Sequence, residues 1–184
     1  MLDTDIIFSR VLHDLFGRLA LRLRLFDLLW SDDLLSEAKR KLIEEKALSA
    51  EIAERWVGYL ADSFPAGRVE IAEVPAGLNL AELTADPDDR HICALAVVGG
   101  ADYLITRDRG YLPEGLHRHG VQVAAPDSVL CPVLDDQPQA IFDVLELQAR
   151  DWGGGRPLPA LLEAFARAGV PDFAARVRSE LAGS

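Results

Sequence analysis

The sequence predicts an α/β protein built on a parallel sheet with helices on both faces. Two observations support this fold class. Short apolar segments with strand character alternate along most of the chain with longer segments whose apolar residues recur at helical spacing. Strands joined through a helix run parallel, because each crossover returns the chain to the same end of the sheet. With 184 residues, 49% of them hydrophobic, the chain is long enough for one such domain and a small appendage.

In the first half of the chain, three strand-like segments alternate with three amphipathic ones. Ser31, followed by Asp32 and Asp33, is a typical helix start, because its hydroxyl can cap the helix and acids favour the first turn. Pro65 and Gly67 are expected to end the third helix. In chain order the elements are a strand at residues 2–8 that runs into a helix over Val11–Leu21, a strand over Leu25–Trp30, a helix opened by Ser31, a helix over Ser49–Phe64 and a strand over Val69–Val74.

The second half of the chain begins with one more helix and two more strands. Pro87 precedes a helix predicted over Asp88–Val98, and the two glycines that follow are typical of a helix end. Short buried strands are predicted at Tyr103–Thr106 and Val121–Ala124. These elements complete a predicted domain over residues 1–132.

From about Asp135 the alternation stops and only helical patterns follow. A turn-rich stretch, Cys131–Pro138, is expected to join the domain to a small helical extension over residues 135–184. The extension is predicted as a helix over Pro138–Trp152, a loop over residues 153–159 and two helices over Ala160–Leu181 that break near Pro171. Apolar residues at helical spacing in this region need a partner surface, so the extension is expected to pack on the domain. They are Leu158, Leu161, Leu162 and Phe165.

Composition restricts the classes of function. No apolar run approaches the length of a membrane span, and the first residues lack the pattern of a secretory signal. The two cysteines, Cys93 and Cys131, have no metal-ligand spacing and are expected to be buried thiols, which suits the cytoplasm. The net charge of −11 opposes a broad basic surface for nucleic acid. An acidic enzyme can still act on nucleic acid through metal ions, and a basic protein partner could also bind such a surface.

Acidic residues gather at one predicted edge of the sheet. Asp3 and Asp5 lie at the end of the first strand, Asp108 follows the strand that ends at residue 106, and Asp89 opens the helix before that strand. Ligands of open parallel sheets bind beyond the carboxyl ends of the strands, so these side chains are expected to meet. Glu37, on the helix opened by Ser31, needs the fold to bring it there. Mg²⁺ and Mn²⁺ prefer such oxygen ligands, and a bound ion can activate water and neutralise a phosphodiester.

Three segments, in order, resemble motifs of the PIN-domain family. LDTDIIFS resembles the opening of the family, and WSDDLLSEAKRKL resembles its middle helix, which carries a glutamate. DPDDRHICALAVVGGADYLITRDRGYLP resembles its hallmark stretch, in which an acid opens a helix and a strand ends in T-x-D. Within the family, the chain is most similar to the VapC-like bacterial group with a helical C-terminal extension.

The resemblance implies a fold, an activity and a site. The fold is a three-layer α/β/α sandwich whose parallel sheet has an order near 3-2-1-4-5. The activity is that of an endoribonuclease that depends on Mg²⁺ or Mn²⁺. The catalytic acids fall on Asp3, Glu37, Asp89 and Asp108. Asp5 stands where the family often has Asn and joins Asp3, Asp89 and Asp108 as a candidate metal ligand. The resemblance also implies a homodimer and, for many members, a toxin restrained by a cognate antitoxin.

Other residues near these motifs have supporting roles or two open explanations. Thr106 is expected to orient a carboxylate or a metal-bound water. Asp88 competes with Asp89 as the third acid, although helix capping explains Asp88 equally well. His91 is noted as a neighbour of Asp89. Only two residues precede Asp3, so the first strand is expected to be short, with a frayed end.

Arg18, Arg22 and Arg24 form a local basic patch that either meets RNA phosphates or pairs with acids of this acidic chain. Both alternatives stay open.

Two rival functions also stay open. The first is a haloacid-dehalogenase-like phosphohydrolase, which the Asp3-x-Asp5 spacing resembles. Such enzymes need a late lysine, and the lysines here are confined to Lys39, Lys41 and Lys46. The second is a non-catalytic PIN module, against which the presence of all four acids argues.

Several carboxylates in one cleft repel one another, and like charges favour the protonated form. The sequence therefore predicts that the pKa values of the clustered acids are raised when no metal is bound.

Overall fold

The computed structural model describes residues 1–152 and 157–183. The predicted loop at residues 153–156 lies outside this range, and the predicted loop residues 158 and 159 belong to a helix instead. The chain forms two compact units. The first comprises Met1–Phe8 and Asp27–Ala124, and the second comprises Ser9–Phe26 and the chain from Ala125 onward. The predicted domain boundary near residues 132–135 remains a prediction.

The first unit has the predicted α/β character. Its helices are α1 (Thr4–Phe8), α3 (Asp32–Lys46), α4 (Ala50–Ser63), α5 (Arg90–Val98) and α6 (Pro113–His117), and its strands are β1 (Tyr103–Ile105) and β2 (Gln122–Ala124). Short 3₁₀ turns occur at Pro65–Gly67, Leu80–Glu82 and Pro87–Asp89. The helix α2 (Arg10–Arg18) lies between α1 and α3 in the sequence and belongs to the second unit.

The two strands pair in parallel, with Leu104 opposite Val123. Leu2 makes a parallel bridge to Ile105, so the first, fourth and fifth predicted strands lie side by side in the predicted order. The end of the second predicted strand makes one parallel bridge, from Trp30 to Arg68, just before the segment of the third predicted strand. The α/β fold class is thus confirmed, with a smaller sheet than the predicted five strands.

The predicted strands at residues 2–8 and Leu25–Trp30 are reduced to single bridges at Leu2 and Trp30, and Thr4–Phe8 forms the helix α1 instead of a strand. The prediction of a strand over Val69–Val74 is wrong, because this segment has no strand pairing beyond Arg68. Its alternating pattern does not bury one face, and the side chain of Val74 is 42% exposed. Close approach at this bridge requires glycine at position 67, since a Cβ there would lie 1.9 Å from the carbonyl oxygen of Leu28.

The helix starts follow the sequence closely. The Ser31 hydroxyl accepts a hydrogen bond from the Leu34 N–H, and the Ser49 hydroxyl accepts one from the Ile52 N–H, so both serines cap the helices that follow them, as predicted for Ser31. The two helices pack together, and each buries one row of apolar residues: Leu34, Ala38 and Leu42 in α3, and Ala53, Val57 and Leu60 in α4. This packing fixes the face of α3 that carries Glu37.

The start of the chain is ordered rather than frayed. Met1 and Leu2 are buried, and the Ile105 N–H donates a 3.0 Å hydrogen bond to the Met1 carbonyl. The Asp3 N–H donates in turn to the Ile105 carbonyl. Pairing with β1 therefore fixes the position of Asp3, and the expectation of a frayed end was wrong.

The second unit is helical. Besides α2, which continues as a π-helix over Leu19–Leu23, it contains α7 (Pro126–Asp136), α8 (Pro138–Asp151), α9 (Leu158–Arg167) and α10 (Pro171–Gly183). The expected turn-rich stretch over Cys131–Pro138 is wrong, because α7 continues through Pro132. Burial of Leu130, Cys131 and Leu134 on one face of α7 offsets the hydrogen bond that a proline removes.

The helices after Asp135 pack within this unit instead of forming a loose tail. Phe165 of α9 and Phe173 of α10 are fully buried in an edge-to-face contact with ring centroids 5.8 Å apart. Asp127 of α7 accepts hydrogen bonds from the Asp172 and Phe173 N–H groups at the start of α10. Their predicted packing on the first domain stays a prediction. Both cysteines are free and buried, as predicted.

Candidate active site

The parallel pairing of the chain start with β1 brings two acidic segments to one edge of the sheet. Asp3 directly follows the bridge residue Leu2, and Thr106 and Asp108 directly follow β1. This arrangement is the one expected from strand polarity. All residues of the candidate site described below lie in the first unit.

Thr106 links two of the predicted catalytic acids. Its hydroxyl donates a 2.6 Å hydrogen bond to Asp3 Oδ2 and accepts one of 2.9 Å from the Asp108 N–H. The other Asp3 oxygen, Oδ1, accepts a 2.6 Å hydrogen bond from the Thr4 N–H. Asp3 and Thr106 are both buried, at 4% and 3% exposure. The geometry matches the predicted supporting role of Thr106, which fixes the Asp3 carboxylate and the start of the Asp108 loop.

Asp89 and Asp108 converge beside Gly110. The Gly110 N–H donates a 2.6 Å hydrogen bond to Asp108 Oδ1. A Cβ placed on Gly110 would lie 3.2 Å from Asp108 Oδ1 and 3.9 Å from Asp89 Oδ2, so both carboxylates border the same small space. Asp89 reaches it from the 3₁₀ turn that leads into α5.

Asp88 is placed differently from its neighbour Asp89. It is exposed, and among the described residues its carboxylate makes no hydrogen bond or ion pair. Its backbone N–H donates to Asp86 Oδ1, which caps the 3₁₀ turn, and its carbonyl lies 2.7 Å from His91 Nδ1. The capping acid is therefore Asp86, and Asp89 is the acid that faces Asp108.

Glu37 is surrounded by donors. Its Oε2 accepts a 2.7 Å hydrogen bond from the Thr4 hydroxyl and lies 3.1 Å from His91 Nε2. Its Oε1 lies 2.9 Å from Lys41 Nζ, one helical turn further along α3. Thr4, next to Asp3, thus connects Glu37 to the other acids. Sequence reasoning missed Lys41, although its position four residues after Glu37 is a recognisable signal for an ion pair.

Asp5 is held by Arg107. Asp5 Oδ2 accepts hydrogen bonds from the Arg107 side-chain Nε at 2.8 Å and from its backbone N–H at 3.2 Å. The Arg107 guanidinium also donates to the Asp5 carbonyl. Asp5 was predicted as an additional metal ligand, and this pairing engages one of its carboxylate oxygens with a cation.

The acids of the site differ in their pKa values. Burial raises the pKa of Asp3 to about 6, with a further rise from the charge of Asp5, despite the opposing hydrogen bonds from Thr106 and Thr4. Burial also raises the pKa of Asp89 to about 6, and the charges of Asp108, Asp86 and Glu37 add to the rise.

The expected rise is wrong for Glu37. Burial would raise the pKa of Glu37, but the close contacts with His91 and Lys41 and the hydrogen bond from Thr4 outweigh burial and hold it at about 2. The same contact with Glu37 raises the pKa of His91. The like-charge argument failed here because the sequence did not reveal that Lys41 and His91 border this carboxylate.

Tyr111 is a further residue that sequence reasoning missed. It is buried, and burial together with the charges of Asp3 and Asp89 raises the pKa of its hydroxyl far above the ordinary value. The phenol therefore stays protonated beside the acids. Its only sequence signal is its place three residues after Asp108.

The chemistry of the donor set fits a hard divalent cation, since Asp3, Asp89 and Asp108 offer carboxylate oxygens and no thiolate or free imidazole. Asp89 and Asp108 both border the small space beside Gly110, and a bound cation would explain why two carboxylates lie so close together. Within residues 1–152 and 157–183, no group of three or more acidic, histidine or cysteine side chains is already arranged to hold a metal.

The predicted RNA-binding arginines belong to the second unit. Arg18 is engaged with acids, with guanidinium nitrogens 2.9 Å from Asp14 Oδ1 and 3.0 Å from Asp151 Oδ2, and its side chain is only 14% exposed. Of the two alternatives for the basic patch, pairing with acids of this chain therefore applies to Arg18. Arg22 and Arg24 are exposed, and their contact with RNA stays a prediction.

Comparison with known proteins gives one match. A sequence model of the family described as PIN domain matches residues 1–110, more than half of the chain. The match includes the segments that carry Asp3, Glu37, Asp89 and Asp108. No curated protein and no solved structure matches the chain.

Proposed function

The chain belongs to the PIN-domain family, whose members are generally nucleases, and we propose that it is a metal-dependent endoribonuclease. The observation that carries this proposal is the convergence of Asp89 and Asp108 beside Gly110, next to the buried Asp3 that Thr106 fixes. Carboxylates with uncompensated charge at the carboxyl end of a parallel sheet are suited to bind a divalent cation. No helix among the described residues is long and apolar enough to cross a membrane.

Asp3, Asp89 and Asp108 are the residues that would hold Mg²⁺ or Mn²⁺. When bound, the ion supplies Lewis-acid activation of water and neutralises charge on a phosphodiester. The chain itself orients these ligands. Thr106 and the Thr4 N–H fix both oxygens of Asp3, and the Gly110 N–H fixes Oδ1 of Asp108.

Glu37 has a different part in the proposed site. Because its pKa is about 2, it is ionised at neutral pH and is a weak proton acceptor. Its charge holds His91 and Lys41 beside the acids, and through Thr4 it supports the segment that carries Asp3. We assign Glu37 as a charged positioning residue.

The proposed substrate is RNA, and the proposed partners are a cognate antitoxin and a second copy of the chain. The VapC-like resemblance of the sequence supports these assignments and a cytoplasmic role as a toxin. The net charge of −11 agrees with a basic antitoxin segment, because an acidic surface attracts basic partners. The apolar residues around Leu21–Phe26 offer surface for a second copy to bury, and Leu21 among them is 44% exposed.

A non-catalytic PIN module remains the second candidate. The observation that favours it is the lack of a preassembled group of three metal-binding side chains in the described parts of the chain. The haloacid-dehalogenase-like alternative is replaced by the PIN assignment. In addition, Arg107 engages Asp5, the residue that this chemistry would need as a free acid or base.

The test is cleavage of structured RNAs by the purified full chain with Mg²⁺ or Mn²⁺, together with a calorimetric isotherm for each metal. We expect internal cleavage that excess EDTA abolishes, and loss of most activity in Asp3→Asn and Asp108→Asn variants that still fold. Undiminished cleavage in EDTA would contradict the metal mechanism. Metal binding without cleavage of any RNA would identify the non-catalytic module.

A further inference from the structure

Lys41 brings a positive charge into the acidic site. Its Nζ lies 2.9 Å from Glu37 Oε1, and the side chains of Lys41 and Glu37 are 31% and 14% exposed. The pair is thus more sheltered than the neighbouring pair Arg40–Glu44 on the same helix, whose side chains are 56% and 55% exposed. Exposed pairs of that kind contribute little, whereas sheltered charges interact through less water.

The charge of Lys41 also reaches acids other than its direct partner. Burial would lower the pKa of Lys41, but its contact with Glu37 and the charges of Asp3 and Asp89 raise it instead. In return, Lys41 lowers the pKa of Asp89. The ammonium group therefore stays charged and interacts with three of the four predicted catalytic acids.

His91 is a second basic side chain in contact with Glu37. His91 approaches Glu37 Oε2 from α5, while Lys41 approaches Oε1 from α3. Each oxygen of Glu37 contacts a basic side chain, which sets Glu37 apart from Asp3, whose oxygens accept hydrogen bonds from neutral donors. Asp89 and Asp108, in contrast, border the space beside Gly110 without a cation in hydrogen-bond contact among the described residues.

We propose that Lys41 is a built-in counter-cation of the acidic site, which stabilises the metal-free fold and lowers the affinity of the site for a divalent cation. The inference rests on the proposed metal site and specifies what regulates its affinity. Like charges repel, so a divalent ion at Asp3, Asp89 and Asp108 must bind against the field of the ammonium group.

The experiment measures Mn²⁺ binding to the full chain by calorimetry at neutral pH. Lys41→Met removes the charge and keeps an unbranched side chain of similar length. Lys39→Met is the matched control, because Lys39 lies two residues earlier on α3 and pairs with Glu54 on the surface. Lys41→Arg keeps the charge and tests for rescue.

We expect Lys41→Met to bind Mn²⁺ about tenfold more tightly than the wild type, an order set by a partly screened charge at short range. Without metal, Lys41→Met should melt at a lower temperature than Lys39→Met, because the acids lose their counter-charge. Lys41→Arg should bind Mn²⁺ like the wild type. In a Glu37→Gln background the effect of Lys41→Met on affinity should shrink, since Glu37 holds the ammonium in place.

The outcomes distinguish a failure of the counter-cation from a failure of the proposed metal site. If the wild type binds Mn²⁺ and Lys41→Met binds with the same affinity as Lys39→Met or more weakly, the counter-cation is refuted and the metal site stands. Binding by Lys41→Met alone would support the inference and show that the wild-type site is blocked. If neither protein binds Mn²⁺, the proposed metal site fails, and the inference fails with it.

Discussion

Two acids of the same site, Glu37 and Asp89, have opposite kinds of neighbours in the fold. Around Glu37, a lysine, a histidine and a threonine hydroxyl compensate the carboxylate, and its pKa is about 2. Around Asp89, burial and a neighbouring carboxylate dominate, and its pKa is about 6. Counting the acids in the sequence does not reveal this difference in pKa. Asp89 and Asp108, which no cation contacts directly among the described residues, are suited to a metal ion, and Glu37, which basic side chains contact at both oxygens, is suited to hold the site together.

The largest expected effect separates Asp89 from its neighbour Asp88. Asp89→Asn should lower RNA cleavage by roughly 100-fold or more, because it removes charge where metal and phosphate would meet. Asp88→Asn, the matched control, changes an exposed carboxylate without a partner among the described residues and should stay within about twofold. The measurement is kcat/KM with Mg²⁺ or Mn²⁺ on one RNA. Equal losses in both variants would show that the third acid is misassigned.

The second prediction concerns the hydroxyl that joins Asp3 to Asp108. Thr106→Val keeps the side-chain volume but leaves Asp3 Oδ2 buried without its donor, which should destabilise the fold by roughly 1–3 kcal/mol. For a chain of this size that corresponds to a melting temperature lower by roughly 3–10 °C. Thr106→Ser retains the donor and should lose less. A valine variant as stable as the serine variant would show that this hydrogen bond does not matter.

The third prediction uses the opposite pKa shifts of Asp89 and Glu37. In the metal-free protein, the raised pKa values of Asp3 and Asp89 mean that these two carboxyls bind more protons in the folded state than in the unfolded state between about pH 4 and about pH 6. Their contribution to stability should therefore fall as pH rises through this range, by roughly 3–4 kcal/mol after allowance for the partly exposed Asp89. The buried His13, whose pKa burial lowers to about 4, contributes in the opposite direction over the same range.

Glu37 should act in the other direction at lower pH. Its contribution is present above its ordinary pKa and is lost as pH falls toward about 2. Denaturant unfolding of the wild type and the variants across pH measures both contributions. The stability of Asp89→Asn relative to the wild type should rise from about pH 4 to about pH 6, and that of Glu37→Gln relative to the wild type should rise as pH falls toward about 2. A relative stability of Asp89→Asn that does not change from about pH 4 to about pH 6 would contradict the assignment.

The smallest expected effect concerns Asp5, which lies beside the site but is held by Arg107. Asp5→Asn should change Mn²⁺ affinity by no more than about twofold and stability by less than about 1 kcal/mol, because the ion pair is partly exposed. Calorimetric titration of Asp5→Asn and Asp89→Asn with Mn²⁺ compares the losses of affinity. A loss of affinity as large as that of Asp89→Asn would place Asp5 among the metal ligands, as the sequence suggested.

The sequence alone was sufficient for features that depend on short-range patterns. Ser31 and Ser49 cap the helices that follow them, and strands form after residue 102 and residue 121, where they were predicted. Strand polarity then placed Asp3 and Asp108 at one edge of the sheet. The PIN assignment followed from these motifs and their order, and the family match confirms it.

Other features were decided only by tertiary structure. A helix runs through Pro132 because burial of its apolar face outweighs a local penalty, and the segment after Arg68 forms no strand because neither face is consistently buried. The lowered pKa of Glu37 could not be predicted from the sequence either. Coulomb energies depend on distances between side chains of different elements, and the sequence does not contain those distances. His91 approaches Glu37 from α5, and Arg107 approaches Asp5 from the loop after β1, only once packing has set those elements side by side.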